Sequence, residues 1–333
     1  MSKSLIVAAG KIIDGSGSMT QCDALLAQLD ELAVTPVQLA IDPLNAGWHS
    51  PLKTNHFRSG CAPIEALARA RQLIEEQGES AVIINGEDRL KSDYDRIERA
   101  EMMSIYGADY PITHAYNDLS GHFIQQEGIT ESLFKQCAEQ LFDNYKRTYV
   151  SRGSSEESLP GEKWYNPITS RFRGVDCANP QVDFRGTLVL VSEALASKLD
   201  LQQQPVAVSG VDIQKLEGDG REYIGQISSY RHLQTAYRNS CRQADIDFAT
   251  LFKSNNALLE VYSCYPVVPM AFLLVSGLIE SIKDIPALLK SYAVTVTGGM
   301  NLARAPWNNP ALNGLVSMYQ QLQHHDSPQE PGH

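Results

Sequence analysis

Residues 63–86, PIEALARARQLIEEQGESAVIING, carry the pattern that sets the fold class. In 63–77, Ile64, Leu67, Ala70 and Ile74 fall on one stripe and Glu65, Arg69, Gln72 and Glu76 on the other, the spacing of a half-buried helix. Glu65 and Arg69 are placed for an i,i+4 ion pair. Pro63 suits the first turn, where a missing N–H costs nothing, and Gly78 ends the helix. The apolar run AVII (81–84) then predicts a buried strand, stopped by Asn85-Gly86. VQLAI (37–41) supplies a strand before the helix. Strand, helix, strand in this order predicts parallel strands and an α/β fold.

Outward from this core, LIVAA (5–9), closed by Gly10, suits another buried strand. Residues 23–32 predict a helix with Leu25, Leu26, Leu29 and Leu32 on one face. A Gly-, Pro- and Asn-rich connection fills 42–60. Residues 91–180 are polar and aromatic, with one clear helix over 131–145 opened by Thr130 as N-cap. The Ser-, Gly- and Glu-rich stretch 151–164 reads as a loop. Such an insertion either covers an active site or decorates the fold. From 187 the α/β rhythm returns. Strands are predicted at 187–191, 206–211, 258–262 and 293–299, and helices at 193–199, 233–244, 268–282 and 309–322. The expected plan is an N-terminal half in two parts, 1–92 and 181–204, around an inserted domain, 93–180. A C-terminal half, 205–322, and a disordered tail, 323–333, follow.

At 333 residues the chain is long enough for about two domains or one large layered unit. A net charge of −11 disfavours nucleic acid as a partner, because phosphate binding needs a basic surface. No run approaches the ~18 apolar residues of a membrane span. MSKSLIVAAG is too short an apolar stretch for a secretory signal, so a cytoplasmic location is expected. The cysteines at 22, 61, 137, 177, 241 and 264 form no CxxC pair, which argues against a zinc site and for reduced thiols. No metal site is expected.

Five segments, in order, resemble the thiolase superfamily. SGCAPIEALARARQLIEEQGESAVIINGED (59–88) resembles its nucleophile-bearing helix and following strand. GITESLFKQCAEQ (128–140) resembles a helix of its loop domain, and VDFRGTLVLVSEALASKL (182–199) a strand–helix unit. YSCYP (262–266) resembles its DCFS or YSCFP segment. VTGGMNLARAPWNNPALNGLVSMYQQL (296–322) resembles its glycine-rich turn and following helix, GGPxNNYxxHAIAxM. The likeness covers most of 1–322 and is nearest to acetyl-CoA acetyltransferase-like and sterol-carrier-type members. It implies two βαβαβ-type layered halves with an inserted loop domain, assembled as a homodimer. It also implies acyl transfer between coenzyme A thioesters through a cysteine thiolate, a histidine base and an oxyanion hole. Coenzyme A or acyl-CoA would be substrate or ligand, and no tightly bound cofactor is expected.

The chain departs from the family where the chemistry sits. The nucleophilic cysteine belongs at Phe57 or Arg58. The histidine of the GHP motif corresponds to Ala305, and the later histidine of NNY-type relatives to Asn313. The family ends in two further strands, for which QHHDSPQEPGH, after Leu322, has no apolar alternation, so the C-terminal half is expected to be incomplete. Three readings follow from the resemblance: an acyl-CoA-binding protein with lost Claisen or thiolysis chemistry, an acyltransferase or thioester hydrolase using Cys61, and a non-catalytic subunit completed by a second polypeptide.

Cys61 lies beside Gly60 at a helix start, near Arg58, where a thiolate is favoured; a plain half-buried cysteine fits the position too. His56 is either its base or a solvated loop histidine. Cys264 is a candidate thiol or a buried structural one. Gly298 and Gly299 allow close backbone approach, to a ligand or to a helix. Asn313 can donate a hydrogen bond but cannot serve as a base. Arg171 and Arg173 are candidates for coenzyme A phosphates or ordinary surface charge.

Overall fold

The computed structural model describes residues 3–325. In chain order its elements are β1 (Ser4–Ile13), β2 (Ser16–Ser18), α1 (Thr20–Glu31), β3 (Val37–Ile41), β4 (His56–Phe57), α2 (Ala62–Glu75), β5 (Ala81–Arg89), α3 (Arg96–Met102), α4 (Ile112–Gln126), α5 (Glu131–Ser151), β6 (Asp183–Ser192), α6 (Glu193–Ala196), β7 (Val206–Ala207), α7 (Ile224–Ile227), α8 (Arg231–Ala244), α9 (Phe248–Lys253), α10 (Val267–Val275), α11 (Ile285–Ser291) and α12 (Pro310–His325). They fall into two compact units. The first takes residues up to 95, 181–211 and those from 305 onward; the second takes 96–180 and 212–304. Residues 205–322, expected as one half, are thus divided between the two. Of the tail expected to be disordered, 323–325 continue α12, and 326–333 lie outside the described residues.

The first unit is built on a mixed sheet with strand order β2-β1-β6-β5-β3-β4, and β7 also pairs with β1. β3 runs parallel to β4 and β5, as the strand–helix–strand pattern requires, while β6 is antiparallel to β5 and β1. Alternation sends Val82 and Ile84 to one face and Ala81 and Ile83 to the other, and all four are buried. α2 and α12 cover the first face, where Leu67, Ala70 and Ile74 meet Leu312, Val316 and Tyr319. α1 covers the second with Cys22, Leu25 and Leu29. Each fully buried Leu or Ile in these layers contributes about 1.5–3 kcal/mol. The helix ion pair on α2 is Arg71–Glu75, at 2.9 Å, while Arg69 donates to Gln72 at 2.6 Å.

β5 does not stop at Asn85-Gly86. It runs on to Arg89, because each of these residues has a use inside the sheet. Asn85 accepts from Thr187 on β6 and donates to Gln38 on β3. Gly86 lies opposite Gly186, and a Cβ on it would come within 1.9 Å of Asn309 Oδ1. The glycine therefore serves close approach of the first turn of α12 rather than a turn in the chain.

The second unit is helical, with Phe123, Phe134, Phe142, Met270, Leu273 and Ile285 in its core. α5 begins where expected, with Thr130 Oγ1 accepting from Leu133 N at 3.2 Å. α3 and α4 were not apparent in the sequence. α4 buries Leu119, Phe123 and Ile124, but Asn117 and Gly121 interrupt the helical pattern. The strands expected at 258–262 and 293–299 do not form, and 212–304 contain no strand. Side chains occupy the place of a neighbouring strand. Glu260 Oε2 accepts from Val296 N and Thr297 N at 2.6 and 2.9 Å, and Asn144 Oδ1 accepts from Val294 N at 3.1 Å. One backbone link, Val261 N to Val294 O at 3.1 Å, joins the two segments. With these N–H groups satisfied by a carboxylate and an amide, no ladder is needed. Of 206–211, the two residues of β7 form ladder pairs with Leu5 and Ile6, and Val208 N donates to Ser4 O at 3.0 Å beyond them.

Candidate functional site

A polar cluster of the first unit lies where β4 passes into α2, beside the N-terminal turn of α12. Asp42 ends β3 and is held by the main chain, its N–H donating to Phe57 O at 2.9 Å and its carbonyl accepting from Asn308 Nδ2 at 2.8 Å. Its buried carboxylate takes two partners. Oδ1 lies 2.7 Å from His56 Nδ1, and Oδ2 accepts from Arg58 Nε and Nη2 at 3.1 and 2.8 Å. Arg58 Nη1 reaches on to the carbonyls of Gly47, Trp48 and Ser50. Trp48 in turn packs edge-on against Trp307, centroids 5.7 Å apart. Behind this loop the Asp88 carboxylate accepts from Leu44 N at 2.8 Å and Tyr94 OH at 3.1 Å. Burial pushes Asp88 up to about 6 despite those donors.

Cys61 is the N-cap residue of α2 and is exposed. Its Sγ lies 3.4 Å from both Ser59 Oγ and Glu65 Oε1, and Ser59 Oγ donates to the same carboxylate at 2.7 Å. Glu65 therefore shares the positive potential of the helix N-terminus with the sulfur. Four of the other thiols are buried. Desolvation raises Cys22 to about 12, Cys137 to about 11 and Cys264 to about 12, and raises Cys177 as well. Asn313, 2 % exposed, accepts from Lys11 Nζ at 2.5 Å through its side-chain oxygen, and Lys11 also contacts Ser317 Oγ. The histidine expected as a base for Cys61 is thus bonded through Nδ1 to a carboxylate. A carboxylate can only accept, so Nδ1 is the donor in this contact and Nε2 is the ring nitrogen turned away from it. Chemically, the cluster offers one oriented imidazole, one exposed thiol and a guanidinium whose three nitrogens are all engaged.

The remaining candidates lie in the second unit. Cys264 Sγ is 3.7 Å from Tyr116 OH, and Tyr116 stacks on Tyr265 at 4.0 Å. Gly298 and Gly299 have φ of +96° and +78°; Gly298 lies against the backbone of α5 at Tyr149 and Gly299 against the Tyr145 ring and Ser263 Oγ, so both have protein close by and Gly298 approaches a helix. Arg171 donates to both oxygens of Glu131 and to Asn117 O, and Arg173 forks onto Asp176. Asp42, Lys11 and Asn308 escaped sequence reading. For Asp42 a signal was present: a carboxylate at the carboxyl end of a predicted parallel strand, where ligands of α/β sheets gather.

No family model and no curated protein matches the chain. Among solved structures, the chain is similar to a monomeric SCP2-thiolase-like protein type 1 from Mycobacterium smegmatis, at a TM-score of 0.68 and 19 % identity, covering 98 % of this chain and 73 % of that one. It is also similar to an Ltp2–ChsH2(DUF35) aldolase, at a TM-score of 0.64 and 15 % identity, covering 97 % and 90 %. These likenesses define the fold: the chain has the thiolase-like α/β fold that its motifs imply. Among the described residues, no helix is long and apolar enough to cross a membrane.

Proposed function

We propose that this thiolase-fold protein binds an acyl-CoA thioester and has lost the Claisen and thiolysis chemistry of acetyl-CoA C-acyltransferases. One observation carries the proposal. At the post of the nucleophile, Phe57 or Arg58, neither side chain can form a thioester, and the Arg58 guanidinium is engaged with Asp42 and three carbonyls. Incubation with a panel of acyl-CoAs, followed by calorimetry and intact-mass measurement, tests it. Saturable binding with unchanged protein mass is expected; absence of binding to every member of the panel defeats it. A second reading, acyl transfer or thioester hydrolysis through Cys61, is favoured by the exposure of that thiol alone at the mouth of α2. Its mark would be an acyl adduct on the tryptic peptide holding Cys61.

Assembly is proposed on the same basis. Of the strand at 81–84 and its neighbours, β5 itself offers no free edge to a homodimer, because it is paired on both sides. Its neighbour β3 is the better candidate, since β4 pairs with it only at Ala40 and Ile41. Light scattering is expected to give about twice 36.8 kDa; a mass of one chain at micromolar concentration would remove the homodimer. A non-catalytic subunit bound to a second polypeptide is the alternative, favoured by the shortness of β7, which joins the sheet only through Val206 and Ala207. Co-purification of that polypeptide distinguishes it from self-association.

A further inference from the structure

A cavity of about 320 Å³ lies between the N-terminal half of α1 and the strands β3, β5 and β6, and it shares no residue with the Asp42–His56 cluster. Its floor is a ladder across three strands. Thr187 Oγ1 donates to Asn85 Oδ1 at 2.7 Å, and Asn85 Nδ2 donates to Gln38 Oε1 at 3.0 Å. The register that places Asn85 opposite Thr187 places Glu87 opposite Arg185, two residues along on the same face. Asp23 reaches the cavity from α1. The fields of Asp23 and Arg185 both act on the Cys22 thiol, which places the two opposite charges around one point of the wall.

These three charges are unspent. Arg58, Arg71, Arg171 and Arg173 each hold a carboxylate. Among the described residues Arg185, Asp23 and Glu87 are in no ion pair, although all three line the same space. Two carboxylates and one guanidinium leave the wall with a net charge of −1 by simple count. Leu26 and Ile83 add an apolar surface. The volume is at the lower end of small-molecule sites, about 300–1,000 Å³, which suits a metabolite of amino-acid size.

We propose that this cavity binds a small dibasic amino acid, a molecule with one carboxylate and two ammonium groups on an aliphatic spacer. Arg185 meets the carboxylate with its planar fork. Asp23 and Glu87 take the two ammonium groups, and the spacer lies on Leu26 and Ile83. The ligand's net charge of +1 balances the wall. Monocarboxylates and dicarboxylates lack the second feature and leave Asp23 and Glu87 without partners.

Calorimetric titration of the full chain with L-lysine, L-ornithine and L-glutamate is the test. Lysine or ornithine is expected to bind saturably, and Glu87→Gln and Arg185→Gln each to weaken that binding about tenfold or more, the loss of one charged contact. Glutamate is expected to show no binding. Both substitutions are at exposed strand positions, and far-UV circular dichroism checks that the fold is kept. No saturable heat with lysine or ornithine, equal binding by the parent and both variants, or glutamate binding as well as lysine would each overturn the proposal. Acyl-CoA titration of the same variants is expected to be unchanged, so the two proposals fail independently.

Discussion

Replacing Arg58 by methionine is expected to lower the stability of the first unit by about 3–5 kcal/mol, the cost of breaking a buried ion pair from one side. The side chains of Arg58 and Asp42 are each 6 % exposed, so solvent screening is slight. The substitution keeps the length and apolar stem but leaves the Asp42 Oδ2 lone pairs and the carbonyls of Gly47, Trp48 and Ser50 without their donor. Lysine is expected to recover less than half of the loss. A point charge on a flexible stem cannot fork onto a carboxylate and reach three carbonyls together. The double change to Arg58→Met with Asp42→Asn is expected to cost clearly less than the sum of the single changes, since both remove one contact. Urea unfolding in a Trp164→Phe background reads this unit, because Trp48 and Trp307 then report alone. A loss below about 1 kcal/mol for Arg58→Met would mean that loop 42–58 does not depend on the ion pair.

The first unit was largely legible in the sequence because its signals are local and agree. VQLAI is β3 at the expected bounds, and the stripe Leu67, Ala70 and Ile74 does face the sheet. Asn85-Gly86 misled, since the pair is a turn signal by propensity. What overrode it was a partner distant in sequence: Thr187 satisfies Asn85, and Asn309 requires the space over Gly86. In the second unit the apolar runs at 258–262 and 293–299 have strand composition. Strand formation needs a neighbour, however, and Glu260 and Asn144 supply the hydrogen bonds that a neighbour would have given.

The candidate site was legible by position more than by chemistry. The motif order located the turn from β4 into α2 and the start of α12, and the polar cluster is found there. That His56 is bonded to Asp42, fourteen residues earlier, depends on the parallel pairing of β3 with β4, which sets Ala40 beside His56 and Ile41 beside Phe57. No spacing rule conveys that. By sequence Arg58 adds a positive field at Cys61, yet all three of its nitrogens are engaged by Asp42 and the loop carbonyls. Arg171 and Arg173 look like phosphate ligands by composition, and only the fold reveals Glu131 and Asp176 as their partners.

Thiolysis of acetoacetyl-CoA by this protein is expected to run at least about 10⁴-fold slower than by an intact thiolase. The reaction needs a thiolate to carry the acyl group and a base to generate thiolate or enolate, and loss of either member of such a unit removes most of the rate. Phe57 and Arg58 offer no nucleophile. Ala305 is buried and apolar, and the Asn313 amide accepts from Lys11 where a base would have to accept from sulfur or carbon. Arg58→Cys alone is expected to restore nothing measurable, because it supplies a thiol without a base and removes the partner of Asp42 as well. The outcomes are separable by substitution. Turnover within about tenfold of an intact enzyme, abolished by Cys61→Ser, would move the chemistry to the exposed thiol and require its base to be found. Turnover that survives Cys61→Ser but is lost with His56→Asn would make the Asp42-oriented imidazole the catalytic group, acting through its Nε2. A basal rate unmoved by either change and equal to that without protein is the result that the engaged guanidinium of Arg58 leads one to expect.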